Sequence, residues 1–175
     1  MTTLSNRTAR RKTIVSENEV ALGAKKVWLM LLYCRFREEP LIMIEKIDHI
    51  SIVTKDLDGM VSLFSRLFGF GVVDTFRVPE QGFRSTLIGK GDAFVELIEP
   101  LGPETPMAKF LGTKESVLHH FSLRVDSVDE ESEALKSMGT RMVNDAPSKA
   151  KEGLRTNFLH PISTGGVLIE LIERK

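Results

Sequence analysis

Polar and apolar residues alternate from Glu45 to Thr54, which predicts a strand with His49, Ser51 and Val53 on one face and Ile50 and Ile52 on the other. The period then changes to that of a helix. Asp56 can serve as its N-cap, and Leu57, Met60, Val61, Phe64, Leu67 and Phe68 recur at helical spacing until Gly69 closes it. Three short strands are predicted next, Phe70 to Val78, Phe83 to Gly89 and Ala93 to Glu99, separated by Pro79-Glu80-Gln81-Gly82 and Lys90-Gly91-Asp92. In the last of them Val95 and Leu97 share one face, leaving Phe94, Glu96 and Ile98 on the other. The order is βαβββ.

The same unit is then spelled again. GDAFVELIE, from Gly91, returns as GGVLIELIE, from Gly165, and DHISIVTKDLDG, from Asp48, lines up with HHFSLRVDSVDE, from His119. His49 is thereby matched to His120 at an offset of 71 residues, and Glu96 to Glu170 at 74. The second copy predicts a strand from Leu118 to Val125 and a helix from Ser127 to Met138 with Val128, Leu135 and Met138 inward. Strands follow at Arg141 to Asn144, Leu154 to His160 and Gly166 to Ile172. Between the copies, Thr105 and Pro106 start a short helix running to Leu111. The expected fold class is therefore α+β, two paired βαβββ modules forming a cup: module one 43–100, linker 101–116, module two 117–175. Helices on one side of the sheet would leave the other side concave and wettable, and parity places the His and Glu residues there.

Composition narrows the picture. At 42% hydrophobic and 27% charged, the 175-residue chain can bury a substantial core, and its net charge of zero gives no electrostatic basis for binding nucleic acid or an anionic membrane. A single cysteine, Cys34, excludes an internal disulfide framework and a thiolate metal cluster and fits a reducing, cytoplasmic location. The longest apolar run, Val27 to Cys34, is short of the roughly 20 residues a membrane-spanning helix needs. Residues 1–42 carry eight Lys/Arg against four Glu and are not repeated elsewhere. They are read as a disordered extension ahead of an expected start at Met43; the competing reading, a transit peptide for the mitochondrial matrix, is weakened by the four glutamates.

A lone His or Glu in a strand is more often structural than a ligand, but His49, Glu96, His120 and Glu170 recur as matched pairs. Two imidazoles and two carboxylates, one pair from each module, can close around one divalent cation of the Co²⁺, Mn²⁺, Zn²⁺, Ni²⁺ or Fe²⁺ type. In an octahedral arrangement two positions stay open for a bidentate substrate, so the metal is expected to be catalytic. His119 and His160 have no histidine twin and are read as strand-end or supporting residues.

With these residues the chain resembles the vicinal oxygen chelate superfamily and, within it, the methylmalonyl-CoA epimerase family. The resemblance runs from Met43 to Lys175 and is carried by Ile47-Asp48-His49, Val78 to Gly82, Pro103 to Leu111, Leu118-His119-His120, Asn157 to Pro161 and Ser163 to Leu171. It implies that His49, Glu96, His120 and Glu170 are metal ligands, with Glu96 standing where some members have Gln. It also implies removal and return of the proton α to an acyl-CoA thioester through an enolate, Glu170 being one proton carrier as well as a ligand. A homodimer is expected on the same ground.

The chain departs from the family pattern at three places. Ser85 occupies the position where some members have a second acid/base glutamate, and a serine hydroxyl is a poor base without an activating neighbour. Ile162 replaces a Lys after His-Pro, and Lys151-Glu152-Gly153 replaces a Gly-His-Gly-like loop. Glu80 is read as a solvated turn residue, and Lys149, Lys151 and Arg155 as a solvated loop. Two other functions are compatible with this fold: a glyoxalase I-like lactoylglutathione lyase, and a non-enzymatic ligand-binding protein of the same fold.

Overall fold

The computed structural model describes residues 42–151 and 153–175. The readings of the N-terminal extension, as a disordered segment before Met43 or as a transit peptide, lie outside the described residues. The first module comprises β1 (Ile44–Thr54), α1 (Leu57–Phe68), β2 (Gly71–Val78), β3 (Phe83–Lys90) and β4 (Ala93–Pro100). After the connector helix α2 (Pro106–Leu111), the second comprises β5 (Ser116–Val125), α3 (Val128–Ser137), β6 (Ser148–Lys151), β7 (Leu154–Leu159) and β8 (Ile169–Arg174). All eight strands join in one sheet, ordered β2-β3-β4-β1-β5-β8-β7-β6. Within each module the first strand lies parallel to the last, and the modules meet where β1 and β5 run antiparallel. The sheet is thus mixed α+β with an approximate twofold relation centred between β1 and β5. No helix among the described residues is long and apolar enough to cross a membrane.

Local chemistry sets the ends of these elements. The Asp56 carboxylate accepts from the Gly59 amide at 2.8 Å and starts α1; Gly69, at φ 69°, terminates it in a left-handed conformation that glycine adopts without penalty. Ser127 and Thr105 cap α3 and α2 in the same way. The apolar stripe of α1 packs Leu57, with Met60, Val61 and Phe64, over Ile88 and Leu97. Helix α3 packs Val128 and Leu135 over Val125 and Leu171.

The structure departs from the sequence reading in five places. First, α2 packs Leu111 on Val53 and Ile98, which belong to the same face as His49 and Glu96, so it lies on the concave side and closes one end of the cup. Second, Arg141 to Asn144 is not a strand: it makes one bridge, Met142 to Leu159, flanked by bonds from Val143 N to Phe158 O and His160 N to Arg141 O. The chain then leaves the edge of β7 around Pro147, which has no N–H to donate, and rejoins it as β6. Third, β8 begins at Ile169 rather than Gly166, because Gly165 and Gly166 have φ of 69° and 98°, outside the extended region. Fourth, Met138 is the C-cap residue of α3 and is 39% exposed, not inward.

Lys149 and Arg155 also belong to paired strands rather than a loop, and the Arg155 guanidinium is engaged with Asp129 at 2.7 Å. The packing under α1 makes a direct prediction. Leu97, fully buried, should cost about 2–5 kcal/mol when replaced by Ala, whereas Leu118→Ala, at a side chain 64% exposed on the neighbouring module, should stay within about 0.5 kcal/mol. Urea unfolding followed by circular dichroism checks both.

Candidate metal centre

The central pair β1 and β5 brings the two modules' histidines to the floor of the cup. Simple alternation would send neighbours to opposite faces, yet Asp48 and His49 are both buried, as is His120, with His119 half-buried beside it. The reason lies in the register. Ile47 pairs with Leu123 and His49 with Ser122, which leaves Asp48 as an extra residue on β1; Ser51 pairs with His120 and Ile52 with Leu118, which leaves His119 extra on β5. These are β-bulges, and each stands immediately before a ligand-type histidine, turning two consecutive side chains towards one face.

On that floor the polar atoms converge. His49 Nε2 lies 3.6 Å from Glu96 Oε2 and 3.6 Å from Glu170 Oε2, and His120 Nε2 lies 3.6 Å from the same Glu170 oxygen. The two imidazole rings are 5.6 Å apart. His49, Glu96 and His120 each offer a ligand atom within 4.8 Å of the others. His49 Nε2, His120 Nε2 and Glu170 Oε2 are all buried without a hydrogen-bond partner. Buried polar atoms are costly to leave unpaired, so three of them aimed at one another need a shared partner. A divalent cation fits: ligand atoms about 2.1 Å from one ion lie roughly 3–4 Å from each other. The four residues matched by the repeat are therefore all brought together.

The surroundings differ between the modules. Asp48 accepts from His49 Nδ1 at 3.0 Å, and it is itself held by Arg124 at 2.6 and 2.9 Å and by Arg174 at 2.8 Å. Burial opposes the charge on Asp48, but His49 and the two guanidinium groups outweigh it and keep this carboxyl well below the usual carboxylate range. At the counterpart position His119 Nδ1 lies 2.8 Å from His120 Nδ1. Burial, reinforced by His120, pulls His119 down to about 4, so it is neutral near pH 7. Ser51 donates to Glu96 Oε2 at 3.1 Å, whereas Ser122, its repeat counterpart, is fully buried with its hydroxyl unpartnered. Asp48, Arg124, Arg174 and Ser51 went unassigned in the sequence. The signal available was positional, since Asp48 and His119 each precede a ligand-type His and Ser51 and Ser122 each follow one by two residues.

A cavity of about 1100 Å³ opens over this floor, with apolar walls that include Phe76, Val78, Phe83, Leu87, Met107 and Phe158. Ser85 is set in its wall, 1% exposed and with its hydroxyl unpartnered; Glu80 is exposed at the rim. His160 is elsewhere, its Nδ1 accepting from the Ile162 amide at the start of a short 3₁₀ turn.

Residues 48–158 match the family model of the glyoxalase/bleomycin resistance protein/dioxygenase superfamily. Among individual proteins, the mitochondrial methylmalonyl-CoA epimerase of Dictyostelium discoideum is 31% identical over 134 residues, 76% of this chain and 81% of that one. The crystal structure of methylmalonyl-CoA epimerase from Mycobacterium tuberculosis superposes with a TM-score of 0.72 at 29% identity, covering 79% of this chain and 94% of that one. A methylmalonyl-CoA epimerase in complex with methylmalonyl-CoA and NH4+ superposes with a TM-score of 0.69 at 31% identity, over 74% of this chain and 94% of that one. The chain belongs to the glyoxalase/bleomycin resistance protein/dioxygenase superfamily and, within it, to the methylmalonyl-CoA epimerase family.

The electrostatics of the centre predict how metal enters. Burial pulls His49 down, but Asp48, Glu96 and Glu170 outweigh it and hold the imidazole at about 9, while Glu96, pushed up by burial, is brought to about 2 chiefly by His49. A cation must therefore displace a proton from His49 below that value and none above it, so affinity should rise with pH and level off beyond about 9. Titration calorimetry of the chelator-stripped protein, in buffers of differing ionisation enthalpy, should show about one proton released per metal at neutral pH and progressively fewer in more alkaline buffer.

Proposed function

We propose that this protein is an isomerase, a methylmalonyl-CoA epimerase that interconverts the (R) and (S) epimers by moving the proton α to the thioester carbonyl. The observation that carries the proposal is the set of unpartnered buried ligand atoms from both modules, meeting at the floor of a cavity in a chain of this family. His49, Glu96, His120 and Glu170 are proposed as the metal ligands. When bound, a divalent cation there supplies Lewis-acid stabilisation of the negative charge that develops on the thioester oxygen. Cobalt, manganese, zinc and nickel all suit the mixed N and O donor set.

The protein's own residues divide the remaining work. Glu96 is tied down through Ser51, whereas Glu170 Oε2 has no such tether, so Glu170 is the carboxylate free to shift towards a substrate carbon. We assign it the transfer of the α proton on one face. The apolar cavity walls exclude water from the carbanion-like centre, and the unpartnered Ser85 hydroxyl can donate to a substrate oxygen; as a serine it is not assigned a proton-carrying role. An acyl-CoA as partner, assembly as a homodimer and a cytoplasmic location belong to the same proposal.

The test is solvent deuterium exchange into methylmalonyl-CoA by the metal-loaded protein. Exchange is expected, and Glu170→Gln should slow it by about 10²- to 10⁴-fold. No exchange, together with robust turnover of a glutathione hemithioacetal, would replace this reading with a lactoylglutathione lyase.

A further inference from the structure

We infer that Asp48, clamped by Arg124 and Arg174, is the positioning residue of the metal centre: it fixes the tautomer and orientation of His49 and ties that ligand to the strands that carry the ligands of module two. The inference rests on the metal-site reading proposed above. Its geometry is independent of the metal. Asp48 Oδ1 is 3.0 Å from His49 Nδ1, so a proton on Nδ1 is satisfied there and Nε2, which faces Glu96 and Glu170, is the nitrogen left to exchange its proton for a cation. The other side of the carboxylate is fully engaged. Arg124 Nε and Nη2 both donate to Oδ2, at 2.9 and 2.6 Å, and Arg174 straddles the two oxygens at 2.8 to 3.1 Å.

These contacts are charge-assisted and partly bidentate, the strongest class of side-chain hydrogen bond. They also span the modules. Asp48 and His49 belong to β1, Arg124 to β5 with His120, and Arg174 to β8, four residues after Glu170. A shift of either module against the other would have to break the clamp, so it sets the separation between the two halves of the ligand set. Module two has no such device: the bulge residue there is His119, whose ring contact with His120 involves no carboxylate. The support of the two histidines is therefore unequal, with His49 held by a buried ion cluster and His120 by a neighbouring imidazole.

Two measurements test this. In zinc-loaded, ¹⁵N-labelled wild-type protein, the His49 side chain should show a proton on Nδ1 and coordination through Nε2. Cobalt titration should find Asp48→Ala weaker than wild type by about 10- to 100-fold, with Asp48→Asn, which retains an oxygen able to accept from Nδ1, recovering part of the loss. Arg174→Gln, which leaves the carboxylate in place, should show a smaller loss and serves if the alanine variant does not fold. A folded Asp48→Ala or Arg174→Gln protein that binds cobalt as tightly as wild type overturns the inference, as does His49 coordinating through Nδ1. Wild-type protein that takes up no cobalt defeats the metal reading itself, and this inference with it.

Discussion

The structure turns on buried polar atoms that have no hydrogen-bond partner among the described residues. His49 Nε2, His120 Nε2 and Glu170 Oε2 are withdrawn from water and point at one another across 3.6 Å gaps, too long for hydrogen bonds. Leaving such atoms unpaired costs about 1–3 kcal/mol each, a large sum against the marginal stability of a domain. The fold concentrates that cost at one point, and does so by bringing equivalent residues of the two modules to the shared β1–β5 seam. A group that enters there satisfies all of them together, which is why this feature defines the site.

The seam works because it is irregular. Two bulges, at Asp48 and at His119, break the alternation of β1 and β5 just ahead of each ligand-type histidine and place a supporting side chain beside the ring. The approximate symmetry ends there. Module one supports its histidine with an anion locked between two arginines and tethers its glutamate through Ser51; module two uses a neutral imidazole and leaves Glu170 untethered. Duplication thus supplies matched His and Glu residues, and divergence around them holds one glutamate through a serine and leaves the other without such a bond.

Much of this was legible in the sequence, for a physical reason: a polar cluster drawn from two copies of one unit is spelled twice. The offsets of the His and Glu pairs carried the fold, the cup and the convergence of four side chains on its floor, and strand parity placed Glu96 and Ile98 opposite Leu97. What parity could not show was a break in parity, so the bulge at Asp48 and the arginine clamp stayed hidden, Arg124 and Arg174 being 76 and 126 residues away in the chain. The edge strand was misplaced because Met142 and Ser148 both lie along β7 with Pro147 between them, a path set by the partner strand rather than by local periodicity. The side chosen by α2 was equally a matter of tertiary packing, since Leu111 could have covered either face of the sheet.

Whether one cation joins the two modules through all four matched residues can be read from X-ray absorption on cobalt-loaded protein. One cobalt per chain is expected, in a shell of mixed imidazole nitrogen and carboxylate oxygen, with the imidazole contribution halved in His120→Ala and the oxygen contribution reduced in Glu170→Gln. A shell that is unchanged in both variants would place the metal elsewhere and rule out a shared four-residue centre.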